Sequence, residues 1–211
     1  MSANRPRILA VIGASGSGKS LFIKAHLWRS LGPRVLVWDP LAEYGPHVRT
    51  VTRSAAELVR LVAGPAWSIA FQPSADAGQA VRQFDLVCRA ALAARRCALV
   101  VEELAFVTTP ARAPAGWRAV CLTGRHAGLT VVGASQRPAS IDKDFFSNAT
   151  AIRCGRLNYS RDLSTMADVL GVPSAELQRL EPLAFVARDM TTGKLDRGRL
   201  KVPPKAGKLR A

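Results

Sequence analysis

The segment Gly13-Ala14-Ser15-Gly16-Ser17-Gly18-Lys19-Ser20 limits what this chain can fold into more than any other. It has the spacing GxxxxGK[ST], preceded by the apolar run Arg7–Ile12 and followed by a helical pattern. In that strand–loop–helix context, glycines let successive backbone N–H groups turn inward around phosphates. The helix that follows aims the positive end of its dipole at the same point. Lys19 is then placed for the β- and γ-phosphates of a nucleoside triphosphate, and the Ser20 hydroxyl for its Mg²⁺. The expected nucleotide-binding set is Gly13, Ala14, Ser15, Gly16, Ser17, Gly18, Lys19, Ser20 and Leu21, with ATP and Mg²⁺ as cofactors. The competing account is an ordinary Gly-rich strand-to-helix turn; the strand before, the helix after and a second matching motif downstream speak against it.

The rest of the chain alternates short apolar runs with helical patterns, the mark of an α/β protein with a mainly parallel sheet. Strands are expected at Arg34–Trp38, Val48–Thr52, Trp67–Phe71, Cys97–Val101, Leu129–Ala134 and Ala149–Cys154. Helices are expected over Lys19–Leu31, closed by Gly32-Pro33, and over Ala55–Val62, with Ser54 as N-cap. Further helices are expected over 78–94, near Trp117–His126, and at Leu163–Leu170 and Ser174–Leu180. Ala184–Arg188 and Leu195–Lys201, around Thr192-Gly193, read as a C-terminal hairpin. The expected organisation is one domain over residues 1–202 and a basic tail at 203–211.

The second motif lies at the end of the fifth expected strand. Ala98-Leu99-Val100-Val101-Glu102-Glu103 puts two carboxylates at the carboxyl end of an apolar strand, the edge of the sheet that faces the phosphates. Successive strand residues point to opposite faces, so the two acids share a site only if the strand ends there. Glu102 is assigned to the Mg²⁺ shell through water and Glu103 to polarising the attacking water. A solvated acidic pair is the alternative.

Charge adds a partner class. The chain has 211 residues and a formal charge of +15, with 30 Lys and Arg against 15 Asp and Glu. A hydrophobic fraction of 48% excludes a largely disordered chain, and no apolar run approaches the roughly 18 residues that span a bilayer. The N-terminus lacks a signal-peptide pattern, and Cys88, Cys97, Cys121 and Cys154 have no metal-ligand spacing, so a reduced, cytoplasmic setting is expected. No acidic residue occurs from Leu104 to Ile141, where Arg112, Arg118, Arg125 and Arg137 all fall. Such a field fits a polyanion without saying which one.

Three further segments carry a resemblance. Asp39-Pro40-Leu41-Ala42-Glu43-Tyr44 resembles the D-P-x-x-E-Y segment of FtsK–HerA type ATPases. The run from Gly124-Arg125-His126-Ala127-Gly128 to Ser135-Gln136-Arg137-Pro138 is similar to their arginine–glycine–strand–TQRP block. Asn148, with the strand holding Ile152 and Arg153, resembles the segment that comes next. The similarity runs from about residue 7 to 156. The size and content of the chain most resemble the genome-packaging ATPases of tailless phages and related viruses with an internal membrane. The departure is Glu102, where the family usually has Asp.

The resemblance implies a RecA/ASCE-like P-loop fold and a homo-oligomeric ring that hydrolyses ATP at its interfaces while translocating DNA, the double-stranded viral genome. It also implies capsid or membrane vertex proteins as docking partners, and a place in the host cytoplasm or at a packaging vertex of the virion. Gln136 matches the polar residue at the strand tip that senses the γ-phosphate or orients water. Arg125 matches the family arginine that reaches the neighbour's site, with Arg137 and Arg153 as rivals. His126 reads as a packing or hydrogen-bonding residue, and Asp39, Glu43 and Tyr44 carry no assigned chemistry. The loop Thr108–Gly116, with Arg112 inside it and Arg118 just beyond, is expected either to line a DNA pore or to be plain surface. A P-loop kinase of a small acceptor and a filamentous-phage-type assembly ATPase remain as alternatives.

Overall fold

The run Arg7–Ile12 forms β1, at the heart of a nine-stranded sheet. The computed structural model describes residues 7–202, so the expected basic tail at 203–211 lies outside the described residues. The remaining strands are β2 (Arg34–Trp38), β3 (Thr50–Thr52), β4 (Trp67–Phe71), β5 (Ala98–Val101), β6 (Thr130–Ser135), β7 (Ala151–Cys154), β8 (Ala184–Asp189) and β9 (Leu195–Arg199). Their spatial order is β3-β4-β2-β5-β6-β1-β7-β8-β9. All pairings from β3 to β7 are parallel, and the C-terminal hairpin β8–β9 adds antiparallel to β7. The α/β class, the mainly parallel sheet and the hairpin are as the sequence leads one to expect. Among the described residues no helix is long and apolar enough to cross a membrane.

The central strands are almost wholly apolar because both faces are covered. In β2, Leu36 and Trp38 enter one core while Val35 and Val37 enter the other. In β5, Leu99 and Val101 part from Ala98 and Val100 in the same way. The larger core lies under α2 (Ala55–Val62), α3 (Ala77–Ala94) and α4 (Ala115–Thr123), where Trp38, Phe84, Trp117 and Phe145 form a file with ring centroids 5.0 to 5.5 Å apart. Trp117 Nε1 donates to Asp142 Oδ2 at 2.8 Å, and Asp142 Oδ1 accepts from the Phe145 N–H. Asp142 thereby caps α5 (Lys143–Asn148), a helix too short to show a period in the sequence. The smaller core holds Val11, Ile23, Val37, Val100 and Tyr44 beneath the helix that follows the Gly-rich loop.

That helix differs from a plain α-helix over Lys19–Leu31. α1 (Lys19–Leu21) passes into a wider π-helical stretch, Phe22–Leu27, and ends as a 3-10 turn, Trp28–Leu31. The helical stretch near Trp117–His126 is α4 followed by the 3-10 turn Gly124–Ala127. α6 (Ser160–Leu170) begins earlier than its apolar pattern, and α7 (Ser174–Gln178) follows it.

Candidate active site

The site lies at the carboxyl ends of the parallel strands, where β6 stands between β1 and β5. β1 therefore delivers the Gly-rich loop, β5 the acidic pair and β6 Gln136 to one edge of the sheet. A cleft of about 490 Å³ there is lined by Ser15, Gly16, Gly18, Lys19, Ser20 and Leu21 from the loop and α1. Glu102, Glu103, Gln136, Asp39, Leu41, Glu43 and Leu183 complete its wall.

Local backbone geometry explains the glycine at the helix entry. Gly18, the residue before α1, has φ +92°, a conformation that costs other residues energy. A Cβ there would also come within 2.9 Å of both Leu183 Cδ2 and Leu200 Cδ1, so the C-terminal hairpin presses directly on the loop. Gly13 and Ala14 do not line the cleft; their carbonyls accept from Lys19 Nζ at 2.8 and 3.3 Å. Ser17 packs against Gly155, just beyond β7. Burial lowers the Lys19 pKa, and the negative charges of Glu103 and Glu102 oppose that.

The acidic pair shares the cleft because β5 stops at Val101. Glu103 takes φ +49° and ψ +57°, a left-handed conformation that costs a non-glycine residue about 1–3 kcal/mol. The chain then turns into the 3-10 segment Leu104–Phe106, and both glutamates, each 5% exposed, line the same cleft. Gln136 Nε2 donates to Glu103 Oε1 at 2.7 Å, so the strand-tip amide already holds the acid assigned to water activation. Glu102 Oε1 accepts from the Tyr44 hydroxyl at 2.5 Å. Burial raises the Glu102 pKa first of all, and the Tyr44 hydrogen bond counters it.

The residues of the Asp39–Tyr44 segment, left without a role by sequence reasoning, belong to the site. Asp39, at the end of β2, accepts from the N–H of Glu43 at 2.9 Å and of Tyr44 at 3.0 Å. Lys24 pairs with Glu43 at 2.8 Å and lies 4.4 Å from the Tyr44 ring centroid. Leu183, with φ +66°, is the other cleft residue that sequence reasoning missed, and no signal short of the folded hairpin points to it.

The arginines separate. Arg125 is exposed in the turn before β6, at the amino edge of the sheet, where Thr130 pairs with Arg7 and Ala98. The six residues of β1 put it roughly 17 Å along the strands from the Gly-rich loop. Its Nε donates to His126 Nε2 at 3.2 Å, and among the described residues it makes no ion pair. The rivals are occupied within the chain. Arg137 Nε donates to Asp162 Oδ2 at 2.8 Å, while Arg153 is buried between Phe185 and Phe22 and its pKa is lowered to about 10 by that burial. Arg112 and Arg118 line a separate cleft with Asp142, Lys143 and Asp144, and Arg118 pairs with Asp144 at 3.3 Å. Thr109 and Arg112 exchange backbone hydrogen bonds that close the loop into a tight turn.

This sheet order, with a Gly-rich loop and an acidic pair flanking a polar strand tip, is the fold of a P-loop NTPase. The chain is 33% identical over 172 residues to Protein P9 of Pseudoalteromonas phage PM2, covering 81% of this chain and 78% of that one. It belongs to the family of that phage protein. No family model matches the sequence. Among solved structures, the genome packaging NTPase B204 of Sulfolobus turreted icosahedral virus 2, in complex with AMPPCP, superposes with a TM-score of 0.77 at 15% identity. The match covers 92% of this chain and 98% of B204. VirB4 of Thermoanaerobacter pseudethanolicus superposes with a TM-score of 0.71 at 14% identity, covering 93% and 89%.

The site suits a metal that arrives with phosphates. Ser20 and Glu102 line the same cleft, and no protein donor reaches Glu102 Oε2 among the described residues. Nor does any group of three or more His, Cys, Asp or Glu there form a metal cage. A Mg²⁺ ion that brings its waters and takes its other ligands from a nucleotide fits these donors.

Proposed function

We infer that this chain is an ATP-hydrolysing motor that works as a homo-oligomeric ring and translocates DNA during genome packaging. One observation carries the reading: a single cleft holds Lys19, Ser20 and Glu102 together with a Glu103 whose carboxylate is oriented by Gln136. Kinship with the phage PM2 protein and the fold shared with the packaging NTPase B204 support it.

On this reading, backbone N–H groups from Gly13 to Ser20 cradle the phosphates, and Leu21 continues the contact. Lys19 leaves the Gly13 and Ala14 carbonyls for the β- and γ-phosphates. Ser20 and Glu102, through water, would hold a Mg²⁺ ion, which would supply positive charge to the phosphate oxygens. Glu103 accepts the proton of the attacking water. The Gln136 amide fixes which carboxylate oxygen does so, and it lines the same cleft as the Gly-rich loop.

Arg125, at the far edge of the sheet, is out of reach of its own subunit's nucleotide and suits the neighbour's. There an arginine stabilises charge on the transferring phosphoryl group. Arg112 and Arg118 hold the DNA backbone, which a translocase grips without reading bases. Docking falls to capsid or membrane vertex proteins, with the chain in the cytoplasm of a bacterial host or at a packaging vertex.

The test is the ATPase rate with and without double-stranded DNA across a range of protein concentration. The expected result is DNA stimulation that rises with oligomerisation. Stimulation by a small phosphoryl acceptor alone overturns the motor in favour of a kinase.

A further inference from the structure

We propose that Tyr44 is a positioning residue for Glu102, and that the Asp39–Tyr44 segment is a brace that holds the Tyr44 hydroxyl in place. The inference rests on the reading of Glu102 as the acid facing the nucleotide's metal. Glutamate has one more rotatable bond than aspartate, so the carboxyl group at the end of β5 needs an external restraint to stay in one place.

The fold supplies that restraint. The alternation along β5 sends Ala98 and Val100 into the smaller core, and Tyr44 is packed in that same core with no exposed surface. Its hydroxyl meets Glu102 Oε1 at 2.5 Å across 58 residues of sequence. This leaves Oε2 without a protein donor among the described residues.

Each neighbour of Tyr44 holds it. Asp39 captures its N–H and that of Glu43, closing the loop after β2. Trp28 lies 5.8 Å and His47 6.2 Å from its ring by centroid. Lys24 sits over the ring and pairs with Glu43. Burial and the nearby carboxylates push the phenol pKa up, so the hydroxyl stays a donor. A buried hydrogen bond to a charged acceptor restrains far more than an exposed one does.

Tyr44→Phe keeps the ring and its packing and removes only the oxygen. The readout is a Mg²⁺ titration of the complex with a fluorescent non-hydrolysable ATP analogue, alongside nucleotide affinity in EDTA, thermal melting and steady-state kinetics. The expected result is a half-saturating Mg²⁺ concentration raised about five- to tenfold. EDTA affinity stays within about twofold, and kcat falls about tenfold with KM little changed.

Glu102→Asp, too short to reach the hydroxyl, should give the same Mg²⁺ shift, and the double variant should add nothing to either single one. A wild-type Mg²⁺ midpoint in Tyr44→Phe, while Glu102→Gln displaces it, overturns the positioning role and leaves the reading of Glu102 standing. A wild-type midpoint in Glu102→Gln overturns that reading and the positioning role with it. Equal losses of Mg²⁺-dependent and EDTA affinity in Tyr44→Phe make the residue mere scaffolding and overturn the proposal.

Discussion

The two edges of the parallel sheet are built on different terms. At the carboxyl edge, Lys19, Glu102, Glu103 and Asp39 are buried, and each is tied to another part of the same chain. At the amino edge, Arg125 is exposed and, among the described residues, its side chain hydrogen-bonds only the neighbouring His126. The Arg112 turn is exposed too, although it lies near the carboxyl edge. On the proposed reading, the half of the chemistry left facing outward is the half that meets copies of the chain and a polyanion.

Mutations can break that comparison. The largest effect is expected from Lys19→Ala, which should remove turnover to background at every protein concentration, because the defect lies inside one subunit. Arg125→Ala should lose roughly 10³–10⁵ in rate, and only where subunits assemble. Mixing these two inactive variants is the sharper experiment. Interfaces that pair an intact Arg125 from one with an intact loop from the other should recover part of the turnover, and no recovery removes the contrast between the edges.

Glu103→Gln should cost about 10²–10⁴ in hydrolysis while ATP binding persists. Normal turnover would take the general-base role from Glu103. The smallest effect is expected from Arg112→Ala, a several-fold loss of DNA-stimulated hydrolysis with basal turnover spared and a salt dependence of DNA binding shallower by about one unit of log–log slope. Equal loss of basal and stimulated rates would return that turn to plain surface.

The sequence showed one edge better than the other for a physical reason. The Gly-rich loop, the acids after β5 and Gln136 are each local: a run of apolar residues ends, and the chemistry follows within a few positions. What stayed hidden depends on contacts between distant segments or on backbone states without a composition signal. Tyr44 could be seen as part of a motif, but its hydrogen bond to Glu102 could not. The left-handed turn at Glu103, which lets two adjacent acids face one cleft, has no glycine to announce it. α5 is too short for periodicity, and the widened turn after α1 looks like any helix in its residues. Nothing in the sequence around Arg153 signals that Phe22 and Phe185 pack on its guanidinium.

The hairpin that leans on Gly18 also sets an order of events during synthesis. The phosphate loop leaves the ribosome well before Leu183 and Leu200 on its flank, and before Lys201, whose carbonyl hydrogen-bonds His26 across 175 residues. A nascent chain therefore carries its phosphate loop through the synthesis of β2 to β7 before the wall beside it exists. The nucleotide cleft takes its final shape only once β8 and β9 have folded back onto the sheet, so strands made long after the phosphate loop decide when that loop becomes a binding site.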